Sequence, residues 1–102
     1  MWQLIDTREV DGFTIHTYVE PETYDPADDF DDEELLQGIK DGRYEWFRTM
    51  VTANKANVEL GDTYVGGCCY ESFKDFIKDD YWADMAGEAI TEARRVIEEL
   101  KK

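Results

Sequence analysis

The sequence predicts an α+β domain, in which an antiparallel sheet of two hairpins carries helices on one face in the order ββαββα. Three observations support this fold class. The pair Asp11-Gly12 separates two segments rich in strand-forming residues. Residues 43–65 repeat that strand-like composition. The last region has apolar residues three or four positions apart, which is the period of a helix. If that region breaks, the order becomes ββα followed by ββαα.

Size and composition favour one folded domain over residues 1–102. Hydrophobic residues make up 42% of the chain and aromatic residues 14%, which is enough for a packed core and argues against global disorder. The formal net charge is −14, from 25 acidic and 11 basic side chains. This charge disfavours direct binding to nucleic acid or to an anionic membrane, because phosphates would be repelled. The charge could also serve solubility alone.

The first hairpin is predicted from residues 2–10 and 13–19, with Asp11-Gly12 as its two-residue turn because this pair tolerates positive φ at both positions. That turn sets the register and places one mostly apolar face toward the core. The predicted pairs are Val10 with Phe13, Arg8 with Ile15, Asp6 with Thr17, and Leu4 with Val19.

Residues 20–34, called here the acidic segment, hold nine carboxylates and no basic side chain. Pro21 and Pro26 disfavour a regular element, so residues 20–31 are predicted to form an exposed acidic loop. Asp31 or Asp32 is then the N-cap of a short helix, which ends with Gly42 at its C′ position. Leucine and isoleucine side chains on one face of this helix must dock for it to be stable.

The second hairpin has two candidate turns, residues 54–57 or Gly61-Asp62, and the sequence does not decide between them. Gly66-Gly67 is predicted to end its last strand. Ser72, with an acid three residues later, is a plausible N-cap for a further helix. The final helix is predicted from its apolar period, and its alanine positions would allow close packing. The periodic residues are Trp82, Met85, Ala86, Ala89, Ala93, Val96, Ile97 and Leu100.

The residue types that carry most catalysis are sparse. His16 is the only histidine, and it is expected on the exposed side of its strand. The adjacent Cys68 and Cys69 cannot form a disulfide framework, and buried packing is the favoured interpretation of both. Free cysteines and the lack of an N-terminal signal pattern favour a reducing, cytoplasmic location. The acidic segment lacks the glycine of a calcium-binding EF-hand loop. We therefore expect no cofactor, no metal and no enzyme activity.

The charge itself is the strongest functional feature, and it lies on two predicted surfaces. One is the acidic segment. The other is a stripe on the last helix, where acids recur every four residues and therefore share one face about 6 Å apart. Such rows can imitate phosphates, and Tyr24, Phe30 and Tyr81 could add binding hot spots. The predicted contact residues are Glu22, Asp25, Asp28, Asp29, Asp31, Asp32, Glu33, Glu34, Asp80, Asp84 and Glu88.

In length, charge, domain size and carboxylate layout, the chain resembles small acidic inhibitors encoded by phages and plasmids. These include DNA mimics that block restriction enzymes or CRISPR complexes. The resemblance implies a non-catalytic inhibitor of a basic nucleic-acid-binding protein or complex. Alternatives are an immunity protein or antitoxin for a basic nuclease toxin, a small metal-dependent hydrolase, and an acidic phage structural or assembly protein. The last could be a homodimer through the alanine-rich face of the final helix.

Overall fold

The sheet has four antiparallel strands in sequential order, each paired with its neighbour in the chain. The computed structural model describes residues 1–101. It confirms the α+β class, and the last region is divided into two helices, as the ββα-ββαα alternative predicts. The strands are β1 (Gln3–Val10), β2 (Phe13–Pro21), β3 (Glu45–Lys55) and β4 (Val58–Tyr70). The helices are α1 (Glu33–Lys40), α2 (Phe73–Lys78) and α3 (Asp80–Leu100).

The first hairpin turns at Asp11-Gly12, whose φ angles of 52° and 85° are both positive, as predicted. Three of its four predicted pairs are present: Val10 with Phe13, Arg8 with Ile15, and Asp6 with Thr17. The pair of Leu4 with Val19 is wrong. A bulge between Leu4 and Asp6 shifts the register by one, so Leu4 faces Tyr18 and Gln3 faces Val19.

The second hairpin turns at Ala56-Asn57, the first of the two candidate sites, with φ angles of 52° and 63°. The prediction that Gly66-Gly67 ends the strand is wrong, because β4 continues to Tyr70. The two glycines instead form a bulge opposite Arg48. Gly67 has φ 67°, a conformation that favours glycine, so the chain absorbs one extra residue without leaving the sheet.

The core lies between one face of the sheet and helices α2 and α3. The close approach of α3 depends on Gly61 in β4, where an added Cβ would lie 2.1 Å from the carbonyl oxygen of Ala89. Ala89 and Ala93 are fully buried against this strand. The alanine-rich face therefore packs on the chain's own sheet.

Asp79 separates α2 from α3 through an extended backbone, with φ −78° and ψ 147°. Its carboxylate caps α3 and also accepts a 2.5 Å hydrogen bond from the Tyr70 hydroxyl. Ser72 caps α2 by accepting from the Asp75 backbone N–H, as predicted.

At the C-terminal end of α3, Leu100 is 75% exposed, so the apolar period of this helix continues beyond the core. Within residues 1–101, no helix has the length and apolar character needed to cross a bilayer.

Candidate protein-interaction surface

The first two residues of the acidic segment lie in the sheet. Glu20 and Pro21 belong to β2, so the predicted loop over residues 20–31 starts at residue 22. Glu20 is 8% exposed and pairs with the Met1 ammonium at 3.2 Å and with Arg48. Burial opposes its ionisation, but hydrogen bonds from these two cations outweigh burial and hold the pKa of Glu20 below its ordinary value.

Residues 22–30 are mostly exposed, but hydrogen bonds attach them to the sheet. The Glu22 carboxylate accepts a 2.9 Å hydrogen bond from the Gly67 backbone N–H. The Tyr24 hydroxyl donates to Asp29, and this bond is the main cause that raises the pKa of Tyr24 to about 12. The Trp46 indole N–H donates to the Tyr24 carbonyl at 3.0 Å. The bonds to Gly67 and Trp46 join the segment to β4 and β3, and the bond between Tyr24 and Asp29 lies within it.

An aromatic cluster reinforces this attachment. The Trp46 ring meets Tyr24 edge-on with centroids 5.2 Å apart and meets Phe30 edge-on at 5.8 Å. Tyr24 is 37% exposed, whereas Phe30 is half-buried. Tyr24 and Phe30, two of the three aromatic residues predicted as hot spots, thus hold the segment in place, and both remain partly exposed.

Two of the predicted contact acids form local caps. Asp25 accepts from the Ala27 backbone N–H and caps a 3₁₀ turn over Pro26–Asp28. Asp32 accepts from the Glu34 and Leu35 backbone N–H groups and caps α1, one of the two N-caps that the sequence allowed. Together with Glu22 and Asp29, these acids already have structural partners, so their charge is less available to a binding partner.

The remaining acids of the segment are exposed on its outer side. Among residues 1–101, no side-chain hydrogen bond or ion pair involves them. These are Asp28, Asp31, Glu33 and Glu34. None of the four is in a salt bridge among residues 1–101, so these are the carboxylates of the segment that a basic partner can reach most directly.

The stripe on α3 consists of Asp80, Asp84 and Glu88, all exposed. Glu88 also accepts a 3.2 Å hydrogen bond from the Thr63 hydroxyl of β4. Trp82, Met85 and Ala89 lie buried on the opposite side of the helix, as predicted. The next acid in the series, Glu92, pairs with Arg95 at 2.6 Å, so the uncompensated stripe ends at Glu88.

A depression joins the two acidic surfaces, and the sequence did not predict it. Its volume is about 360 Å³, and we call it the β4 depression. Phe30 lines it from the acidic segment, Leu35 from α1, and Tyr81 from the start of α3. Residues 65–70 of β4 form its floor together with Tyr44. In the sequence, the only sign of a depression is the pair Gly66-Gly67, because glycines lack a side chain and allow other groups to approach closely.

Three basic side chains lie toward the other end of the molecule. Near the hairpin turns, Lys55 Nζ lies 4.8 Å from the centre of the Phe13 ring, and the Arg94 guanidinium lies 6.0 Å from it. Arg95 follows on α3, where it binds Glu92 and Glu99. Other basic side chains lie in or beside α1 and α2, so positive charge is not confined to one end of the molecule: these are Lys40, Arg43, Lys74 and Lys78.

The cysteines and the histidine occupy structural positions. Cys68 is buried on the core face, and desolvation raises the pKa of its thiol to about 11. Cys69 is half-buried and lines the β4 depression, and its pKa is also raised by burial. The His16 Nδ1 lies 3.0 Å from the Thr7 hydroxyl on the open face of the sheet. Among residues 1–101, no three His, Cys, Asp or Glu side chains are grouped to hold a metal ion.

Comparison of the chain with protein-family models, with curated proteins and with solved structures finds no match.

Proposed function

We propose that the chain is a non-catalytic inhibitor that occupies the nucleic-acid-binding surface of a basic host defence or DNA-processing protein. It acts as a DNA mimic, in the cytoplasm, by covering the surface that would otherwise bind phosphates. The acidic segment and the stripe on α3 supply the negative charge. The partner is a basic protein or complex rather than nucleic acid itself.

The observation that carries this proposal is charge per unit length. The molecule measures 53 × 25 × 22 Å and carries a net charge of −14, about one net charge for every 4 Å of its long axis. One strand of B-DNA carries a charge every 3.4 Å or so along its axis. Averaged over the whole molecule, the charge per unit length is therefore of the same order as that of one phosphate strand, and the exposed acids concentrate part of it on two surfaces.

The surface is also rigidly held. Hydrogen bonds to Gly67 and from Trp46 attach the acidic segment to the sheet, and the stripe lies on a helix of 21 residues. A preordered set of charges loses less conformational entropy on binding than a free acidic loop. Rigidity therefore supports competition with DNA, which is itself a stiff polyanion.

The test begins with capture of partners from a nuclease-treated bacterial lysate at low and high salt. Each captured protein is then bound to labelled DNA, and the chain is added as a competitor. We expect the chain to release the DNA, with an apparent affinity that falls steeply as salt rises, because screening weakens exposed charge pairs. A captured protein that holds DNA and the chain at the same time would contradict the proposal.

A matched pair of variants separates the effect of charge in the acidic segment from the effect of the net charge. Asp28→Lys/Asp31→Lys changes two exposed acids of the acidic segment, and Glu59→Lys/Glu98→Lys changes two exposed acids near the other end. Each double variant alters the net charge equally. We expect the first to weaken competition by about tenfold or more and the second to change it little. Equal weakening would remove the acidic segment from the interface.

The same competition assay distinguishes the antitoxin alternative. An immunity protein or antitoxin would capture one dedicated nuclease and would block its toxicity whether or not that nuclease still bound DNA. Loss of nuclease activity without release of DNA would favour that function over mimicry.

A further inference from the structure

We infer that the β4 depression is an anchor pocket for one large apolar side chain, carried within a basic, extended segment of the partner protein. This inference rests on the proposed function and specifies how the partner is recognised. Charge alone would attract many basic proteins, whereas a pocket between the two acidic surfaces would select among them.

The size and lining of the depression suit one side chain. Its volume of about 360 Å³ lies at the lower end of the range for ligand pockets. Phe30 from the acidic segment, Leu35 from α1 and Tyr81 from α3 supply its apolar walls. Tyr81 is 47% exposed although it is large and aromatic, so a partner side chain could still bury much of its ring.

The floor of the depression favours an extended segment. Strand β4 is the last strand of the sheet, so its outer edge has no neighbouring strand. Six consecutive residues of that strand, 65–70, line the depression. The bulge at Gly66-Gly67 interrupts regular pairing along the edge beside the depression, so a segment added there would form few consecutive backbone hydrogen bonds. The side-chain anchor must then supply most of the specificity.

The surrounding charge indicates that this segment is basic. Asp80 directly precedes Tyr81, and Asp31 directly follows Phe30. Lys or Arg residues on either side of the anchor would meet these carboxylates, whereas an acidic segment would be repelled.

The test uses two fluorescein-labelled peptides of equal charge, Lys-Arg-Ser-Trp-Ser-Arg-Lys and the same peptide with Ser in place of Trp. Binding is measured by fluorescence anisotropy with the whole chain. We expect the Trp peptide to bind at least about tenfold more tightly, because only this peptide fills the pocket. Equal affinity of the two peptides would overturn the anchor pocket while leaving attraction by charge intact.

Two tyrosine variants locate the effect. Tyr81→Ala removes one wall of the depression. Tyr64→Ala is its control, because Tyr64 is 58% exposed on β4 but lies outside the depression. We expect Tyr81→Ala to abolish the advantage of the Trp peptide and Tyr64→Ala to retain it. If Tyr64→Ala abolishes it equally, the pocket assignment is wrong.

Cys69 gives a readout that needs no substitution, because its thiol lines the depression. We expect the Trp peptide to slow the reaction of Cys69 with a maleimide more than the Ser peptide does. Equal reaction rates with both peptides would overturn the inference.

The Asp28→Lys/Asp31→Lys variant separates the two proposals. If it binds both peptides as tightly as the unmodified chain while the Trp peptide keeps its advantage, the apolar pocket is supported, whereas the charge-based function and the contact of basic residues with Asp31 fail.

Discussion

The backbone N–H of Gly67 donates a 2.9 Å hydrogen bond to the carboxylate of Glu22, which lies 45 residues earlier in the chain. This bond joins the start of the acidic segment to the bulge in β4. One acid of the most acidic stretch therefore serves the fold, and the position of that stretch depends on the local geometry of two glycines.

Replacing Gly67 with alanine should lower the free energy of unfolding by about 1–3 kcal/mol. Gly67 has φ 67°, and an added Cβ would lie 2.3 Å from the Tyr24 hydroxyl oxygen. Gly87→Ala is the matched control, because Gly87 lies in α3 with no atom within 4 Å of an added Cβ. This control should raise stability by about 0.5–1 kcal/mol. Urea unfolding measures both, and an unchanged Gly67→Ala variant would contradict the bulge.

The hydrogen bond from the Trp82 indole N–H to the Thr17 hydroxyl, 2.9 Å long, lies in the core. Thr17→Val retains the volume but leaves the indole N–H without an acceptor, which should cost about 1–3 kcal/mol. Thr17→Ser retains the acceptor. In NMR hydrogen exchange, the Trp82 indole N–H should lose protection in Thr17→Val and keep it in Thr17→Ser. Full protection in both would show that Thr17 is not the required acceptor.

The stability that Glu20 contributes should depend on acid pH. Its folded-state pKa lies below the ordinary 4.5, so the unfolded chain takes up the proton first as pH falls. The contribution is thus complete above 4.5 and is lost as pH falls through the lowered pKa. Comparison of Tm between the unmodified chain and Glu20→Gln from pH 7 to pH 2 should show a difference that shrinks below 4.5. In an Arg48→Gln background this difference should be smaller at every pH.

The two cysteines should differ in reactivity. Burial raises the pKa of Cys68 to about 11, and the thiolate is the reactive form. Cys69 is less buried and lines the β4 depression. A disulfide exchange reagent at pH 8 should modify one thiol of the native chain quickly and the second only after unfolding. Cys69→Ser should remove the fast reaction, and Cys68→Ser should keep it. Equal native rates would contradict the burial of Cys68.

Elements defined by neighbouring residues were predictable from the sequence. The Asp11-Gly12 turn and the caps at Asp32 and Ser72 depend on residues within four positions of each other. The bulge after Leu4 was missed, because only Gln3 and Leu4 of β1 precede it, and two residues are too few to show a change in the alternation. Gly66-Gly67 was misinterpreted, since a glycine pair suits the end of a strand and a bulge equally well. Only the pairing of β4 with β3 decides between them.

The sequence by itself determined that this protein is acidic, that it has an α+β fold, and that its negative charge concentrates in residues 20–34 and along α3. Tertiary structure alone decided which of those acids face outward. Glu20 and Glu22 are bound by Arg48 and Gly67, which lie on strands distant in the chain. The β4 depression likewise forms only where Phe30, Tyr81 and β4 meet. Local patterns cannot encode these contacts, because folding brings together residues that no short sequence period relates.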